Sequence, residues 1–98
     1  MKLALMVIDM QKAFYNGAGK TSMDAASEYI NAAVDMFRLG NLPVLWVQDK
    51  DDVKPGDEGF ELIDSLKPAA GEHRIIKEYG NSFNKTECDR ILKEEVVD

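Results

Sequence analysis

The chain has one cysteine, Cys88, one histidine, His73, one tryptophan and three prolines among its 98 residues. A lone cysteine permits no intramolecular disulfide, and with a single histidine it leaves no protein-only zinc site of the Cys/His type. That usage fits a reducing, cytoplasmic compartment. Long apolar runs are also missing. The run Leu3-Ala4-Leu5-Met6-Val7-Ile8 follows the basic Lys2 and is stopped by Asp9 after six residues. It is shorter than a signal-peptide core of roughly 7 to 15 residues and far shorter than a span of roughly 20, so no membrane partner is expected. Positive charge is in deficit as well, with 12 Lys and Arg against 18 Asp and Glu, a net charge of −6. Such a surface repels phosphate, and nucleic acid is not an expected partner.

What remains is a balance of 45% hydrophobic and 31% charged residues, which belongs to a folding, globular chain rather than a disordered one. Ninety-eight residues allow one hydrophobic core and disfavour functions that need a second lobe.

Leu3 to Ile8 lacks period-2 alternation, as a parallel strand covered on both faces does. Gln11 to Ser22 contains Asn16-Gly17-Ala18-Gly19 and is expected to be a loop, with Thr21 or Ser22 capping the next helix. Ile30, Ala33, Val34 and Phe37 recur at helical spacing, which predicts an amphipathic helix from Met23 to Leu39 stopped by Gly40. Val44-Leu45-Trp46-Val47 predicts a second strand, and Arg74-Ile75-Ile76-Lys77 a third. Between them, Phe60, Leu62, Ile63 and Leu66 indicate a short helix or turn before Pro68. A last helix is expected from about Asn84, with Asn84-x-x-Glu87 as a capping box and Cys88, Ile91 and Leu92 on its apolar face. Strands alternating with helices favour a parallel sheet with right-handed crossovers.

Ligands collect at the carboxyl ends of such strands, which draws attention to Asp9, Asp49 and Lys77. Asp9 closes an apolar strand, where a carboxylate needs a nearby cation to stay ionised; the plain alternative is a turn acceptor. Lys77 closes another and would supply that cation if the two strands run the same way; otherwise it is a solvated lysine. Asp49 opens Asp49-Lys50-Asp51-Asp52, which reads as a solvated loop, with no histidine placed to make it a metal site. Gly19-Lys20-Thr21 ends like a phosphate loop, but the first glycine of that pattern would fall at Phe14, leaving a nucleotide-binding module as a weak alternative. Cys88 shares a helical face with Ile91 and Leu92, where a thiol packs as a small hydrophobe.

Taken together, Val7-Ile8-Asp9-Met10-Gln11 with Phe14, Val44-Leu45-Trp46-Val47-Gln48, and Ile76-Lys77 with Tyr79, Asn81-Ser82-Phe83 and Thr86 form a recognisable set. In these residues the chain resembles the amino-terminal half of the isochorismatase-like cysteine hydrolases, which include nicotinamidases and N-carbamoylsarcosine amidase. On this resemblance residues 1–98 form the amino-terminal half of a single domain. The resemblance implies an α/β fold, a three-layer α/β/α Rossmann-like parallel sheet, truncated here after about three strands. It also implies a Cys-Asp-Lys triad in which Asp9 is the acid/base and Lys77 its cationic neighbour, hydrolysing a small amide-type C–N substrate. The chemistry is coherent: the carboxylate takes a thiol proton, and the ammonium favours the thiolate.

Two departures follow from the same comparison. The family's nucleophile lies beyond the helix that corresponds to Asn84–Glu95, so the role does not pass to Cys88 and these residues alone are expected to be inactive. The metal-binding histidines of nicotinamidases have no counterpart after Asp49, and no cofactor or metal is expected. Phe14, Trp46 and Phe83 are candidates to line the pocket for a small-molecule substrate, though each is equally a core residue. Because the family's fourth strand pairs with the first, Leu3–Ile8 is expected to be an open edge, which favours a homo-oligomer or an inactive fragment that self-associates there.

Overall fold

The computed structural model describes residues 2–78 and 87–95. Strand β1 (Leu5–Ile8) leads through a 3-10 turn (Lys12–Phe14) into helix α1 (Gly17–Leu39). Strand β2 (Val44–Asp49), a second 3-10 turn (Glu58–Phe60), strand β3 (His73–Lys77) and helix α2 (Cys88–Glu94) follow. The three strands form one parallel sheet in the order β1-β2-β3.

Alternation along β2 sorts the core into two layers. Val44 and Trp46 pack with Val7, Met23, Val34, Leu62, Ile63 and Leu66, and Ile30 and Phe37 of α1 close over them. Leu45 and Val47 face the other way, onto Ile75 and onto Cys88 and Ile91 of α2. Every residue of β2 is buried, as a central strand with helices on both faces must be. Helix, sheet and helix are the three layers that the sequence pattern and the resemblance predict.

Several element boundaries differ from expectation. Strand β1 begins at Leu5, whose N–H donates to the Pro43 carbonyl, while Leu3 is exposed. Helix α1 begins at Gly17, not Met23, so Thr21 and Ser22 lie inside it and cap nothing. The reason is a close approach: a Cβ on Gly19 would stand 2.7 Å from the Phe14 carbonyl oxygen. Glycine lets the first turn of α1 pack against the chain that leaves β1, and the Gly-Lys-Thr string is helix rather than a phosphate-cradling loop.

Helix α1 stops as predicted, but by a different residue. Asn41, not Gly40, takes the left-handed conformation (φ 54°). The Leu42 N–H then donates to the Phe37 carbonyl and the Asn41 N–H to that of Arg38, the two bonds of a Schellman motif. Between β2 and β3 the apolar residues make a 3-10 turn and an isolated antiparallel bridge, Gln11 to Leu62. Helix α2 starts at Cys88 with Glu87 in the cap position, and its Cys88 and Ile91 are buried as expected. The capping box at Asn84 and the motif residues Tyr79 to Thr86 lie outside the described residues.

Candidate active site

Because all three strands are parallel, Asp9, Asp49 and Lys77 are brought to one end of the sheet. There Asp9, Phe14, Asp49, Asp51, Asp52 and Lys77, together with Gly19, Ser22 and Met23 of α1, line a cavity of about 480 Å³. Lys77 Nζ donates to Asp9 Oδ2 at 3.1 Å across the end of β2. The Lys77 side chain is only 5% exposed and that of Asp9 41%, so the ammonium is the buried member and the carboxylate meets the cavity. An enclosed ammonium requires a counter-charge, and the parallel topology delivers one from a strand two positions away.

Asp9 has two further features that an ordinary strand-end residue lacks. Its backbone sits at φ 61°, in the left-handed region that costs a non-glycine residue about 1 kcal/mol or more. Its N–H still donates to Val47, so the chain follows β2 up to Asp9 and then turns away. Its second carboxylate oxygen, Oδ1, is buried and accepts no hydrogen bond among the described residues. A buried acceptor without a donor costs about 1–3 kcal/mol.

Asp49 is not the solvated loop residue expected from its charged neighbours. It is the buried last residue of β2, and its carboxylate accepts the N–H groups of Asp51 (3.1 Å) and Asp52 (3.3 Å), closing the turn that follows. Trp46 is not at the cavity either. Its ring is fully enclosed on the α1 face of the sheet, and its indole N–H donates to Glu72 Oε1 at 3.0 Å. A position in the middle of the central strand rather than at its end accounts for this. Phe14 does line the cavity, and Phe83 lies outside the described residues.

Cys88 is buried among Leu45, Val47, Ile75 and Ile91 on the α2 side of the sheet and is not among the residues that line the cavity. Burial raises its thiol above the ordinary value of 9.0, with Asp89 adding to the effect. Gln11 was part of the sequence motif but carried no assigned role. It is fully buried and hydrogen-bonded on both sides of its carboxamide, at 2.7 Å from the Asp49 N–H and 3.0 Å to the Asp49 and Phe60 carbonyls. A polar side chain two residues after a strand-end aspartate was the available signal.

Fold and site together define a parallel α/β protein with a carboxylate–ammonium pair at its strand ends. The isochorismatase domain model matches residues 3–98, and the chain belongs to that family of hydrolases. It is similar to two Bacillus subtilis (strain 168) proteins, the uncharacterized isochorismatase family proteins YrdC and YddQ. Identity is 31% over 98 residues and 32% over 105, covering 94% and 99% of this chain. The same alignments cover 52% and 58% of those proteins, so the chain spans about half the length of the curated relatives it matches.

Among solved structures, N-carbamoylsarcosine amidase from Thermoplasma acidophilum superposes with a TM-score of 0.86 at 31% identity, over 100% of this chain and 64% of that one. An isochorismatase from Pseudomonas putida KT2440 gives a TM-score of 0.82 at 31% identity, over 94% and 50%.

Proposed function

We propose that residues 1–98 carry the acid/base half of a cysteine-dependent hydrolase acting on a small amide-type C–N bond. The observation that carries this reading is the Asp9–Lys77 pair, 3.1 Å apart in a cavity at the strand ends, with Asp9 Oδ1 accepting no hydrogen bond among the described residues. In this mechanism the Asp9 carboxylate takes the proton of an attacking thiol while Lys77 holds the carboxylate in place and favours the thiolate. The thiolate adds to the substrate carbonyl, the amine leaves with the proton held by Asp9, and water then releases the acyl group. The similarity to N-carbamoylsarcosine amidase supports a C–N substrate.

In this reading the attacking thiol comes from outside residues 1–98. Cys88 is enclosed in the α2-side core with its thiol pushed up, the reverse of an activated nucleophile. Residues 1–98 by themselves are then inactive, and a thiol mechanism fits a reducing cytoplasm.

Ammonia release from a panel of small N-carbamoyl and primary amide compounds tests the reading, using the native polypeptide that carries residues 1–98. Asp9→Asn and Lys77→Met are each expected to lower kcat/KM by about 10²-fold or more, and Cys88→Ala to leave it within about twofold. Undiminished turnover in Asp9→Asn, or loss of it in a folded Cys88→Ala, would overturn the assignment.

A second reading is a non-catalytic fragment that self-associates. It is favoured by β1, which pairs only with β2 among the described residues and exposes Ile8 beside an open backbone edge.

A further inference from the structure

We propose that Gln11 is the positioning residue of the Asp9–Lys77 pair, its side-chain carboxamide standing in for a peptide unit that β1 no longer supplies. The proposal rests on the reading of that pair as the acid/base of the site.

Strand β1 pairs with β2 residue by residue from Leu5–Val44 to Ile8–Val47, and the Asp9 N–H adds a last bond to Val47. Left-handed backbone at Asp9 then takes the chain out of the ladder. The next β2 residue with its N–H and C=O turned toward β1 is Asp49, and an ordinary parallel ladder would satisfy both with backbone of β1. Gln11 does this with its side chain. Its Oε1 accepts from the Asp49 N–H at 2.7 Å and its Nε2 donates to the Asp49 carbonyl at 3.0 Å, a reciprocal pair made by one amide. The second Nε2 hydrogen goes to Phe60 O at 3.0 Å, so both donors of the buried carboxamide are used.

Asp49 is also the residue that registers with Lys77 on the other side, where the Lys50 N–H donates to the Lys77 carbonyl at 2.8 Å. Gln11, Asp49 and Lys77 thus form three consecutive rungs across the end of the sheet. The ion pair spans the same three strands, and its 3.1 Å contact depends on β1 and β3 being held at fixed distance from β2. Gln11 makes that hold on the β1 side without extending β1, which leaves Asp9 free to turn toward the cavity. This resolves a conflict in the fold, because a longer β1 would have kept Asp9 in the pleat.

Gln48 supplies a matched control. It is equally buried and donates to the same Phe60 carbonyl at 2.9 Å, but its other partner is Arg74 and it makes no bond to Asp49. The experiment measures the Asp9–Lys77 coupling by urea unfolding of Asp9→Asn, Lys77→Met and the double variant. The cycle is run in the native polypeptide and repeated in Gln11→Met and Gln48→Met backgrounds. Gln11→Met is expected to lose at least half of the coupling and to lower kcat at least tenfold with KM within about twofold, while Gln48→Met preserves the coupling.

Coupling retained in Gln11→Met, or lost equally in both backgrounds, would overturn the proposal. Should Gln11→Met not fold, Gln11→Glu keeps the volume and the acceptor for the Asp49 N–H but drops both donors, and the same loss is expected. If both fail to fold while Gln48→Met folds, the residue is a folding determinant and the positioning role is overturned. The coupling is read without turnover, so an inactive native polypeptide would sink the hydrolase reading while the cycle still judges Gln11.

Discussion

Asp9 concentrates three uncommon features: a left-handed backbone, a buried oxygen with no donor among the described residues and a buried ammonium as its partner. The first is separable by substitution. Asp9→Ala and Asp9→Gly both delete the carboxylate, but only alanine sets a Cβ against the backbone at φ 61°. Asp9→Ala is expected to be less stable than Asp9→Gly by about 1 kcal/mol, measured by urea unfolding. Equal stability would show that the backbone there relaxes and stores no strain. That Asp9 and Lys77 were singled out at all reflects a simple rule: a charged residue ending an apolar run must find a partner or water. Gln11 carries no such mark, because an uncharged amide raises no such question in a sequence.

At the scale of elements, the sheet is built outward from β2, which is buried throughout, toward two strands with an open side each among the described residues. On β1 the open edge carries Ile8 at 43% exposure and is preceded by Leu3 at 51%, an apolar rim on unpaired backbone. If self-association runs through this edge, Ile8→Lys is expected to shift an oligomer to monomer in sedimentation, with helix content unchanged. An assembly that survives Ile8→Lys and Leu3→Lys would sink edge pairing. Both positions spare the core, whereas Leu5 packs against the α1-side cluster and its replacement would confound folding with association.

For the molecule as a whole, the opposite end of the sheet is held by Glu72. Its Oε1 accepts from Arg38 Nη2 (2.9 Å), Trp46 Nε1 (3.0 Å) and the Ala69 N–H (2.8 Å), and its Oε2 accepts from Arg38 Nε (2.9 Å). One carboxylate thereby joins α1, β2 and the approach to β3. The Arg38 guanidinium, with help from the Ala69 and Trp46 donors, overcomes the effect of burial and lowers the Glu72 carboxyl from 4.5 to about 2. A carboxyl lowered on folding stabilises the native state above its unfolded value, and that stability is lost as pH falls from about 5 toward 2. The Arg38 side chain is 35% exposed, so water screens the pair and the loss is expected to be about 2 kcal/mol. Urea midpoints at pH 6 and pH 3 measure it, and Glu72→Gln should remove this share of the acid sensitivity. An unchanged pH dependence in Glu72→Gln would show that other carboxylates dominate acid unfolding.

The sequence by itself determined the order of strands and helices, the apolar run of β2, the apolar faces of α1 and α2, and the two charged strand ends. Each is a local pattern of burial and spacing, legible because apolar periodicity and run length follow directly from strand and helix geometry. Only the tertiary structure decided that α1 begins at Gly17, that Trp46 is core, that Asp49 is buried and that Gln11 completes the β2 ladder. These depend on which atoms meet across the chain: Trp46 and Glu72 are 26 positions apart and Gln11 and Asp49 38, with Phe14 against Gly19 a short-range case. The place of Gln11 two residues after Asp9 marks a polar side chain beside a strand end, but nothing local names its partners, because the donors and acceptors it satisfies come into being only when the sheet forms.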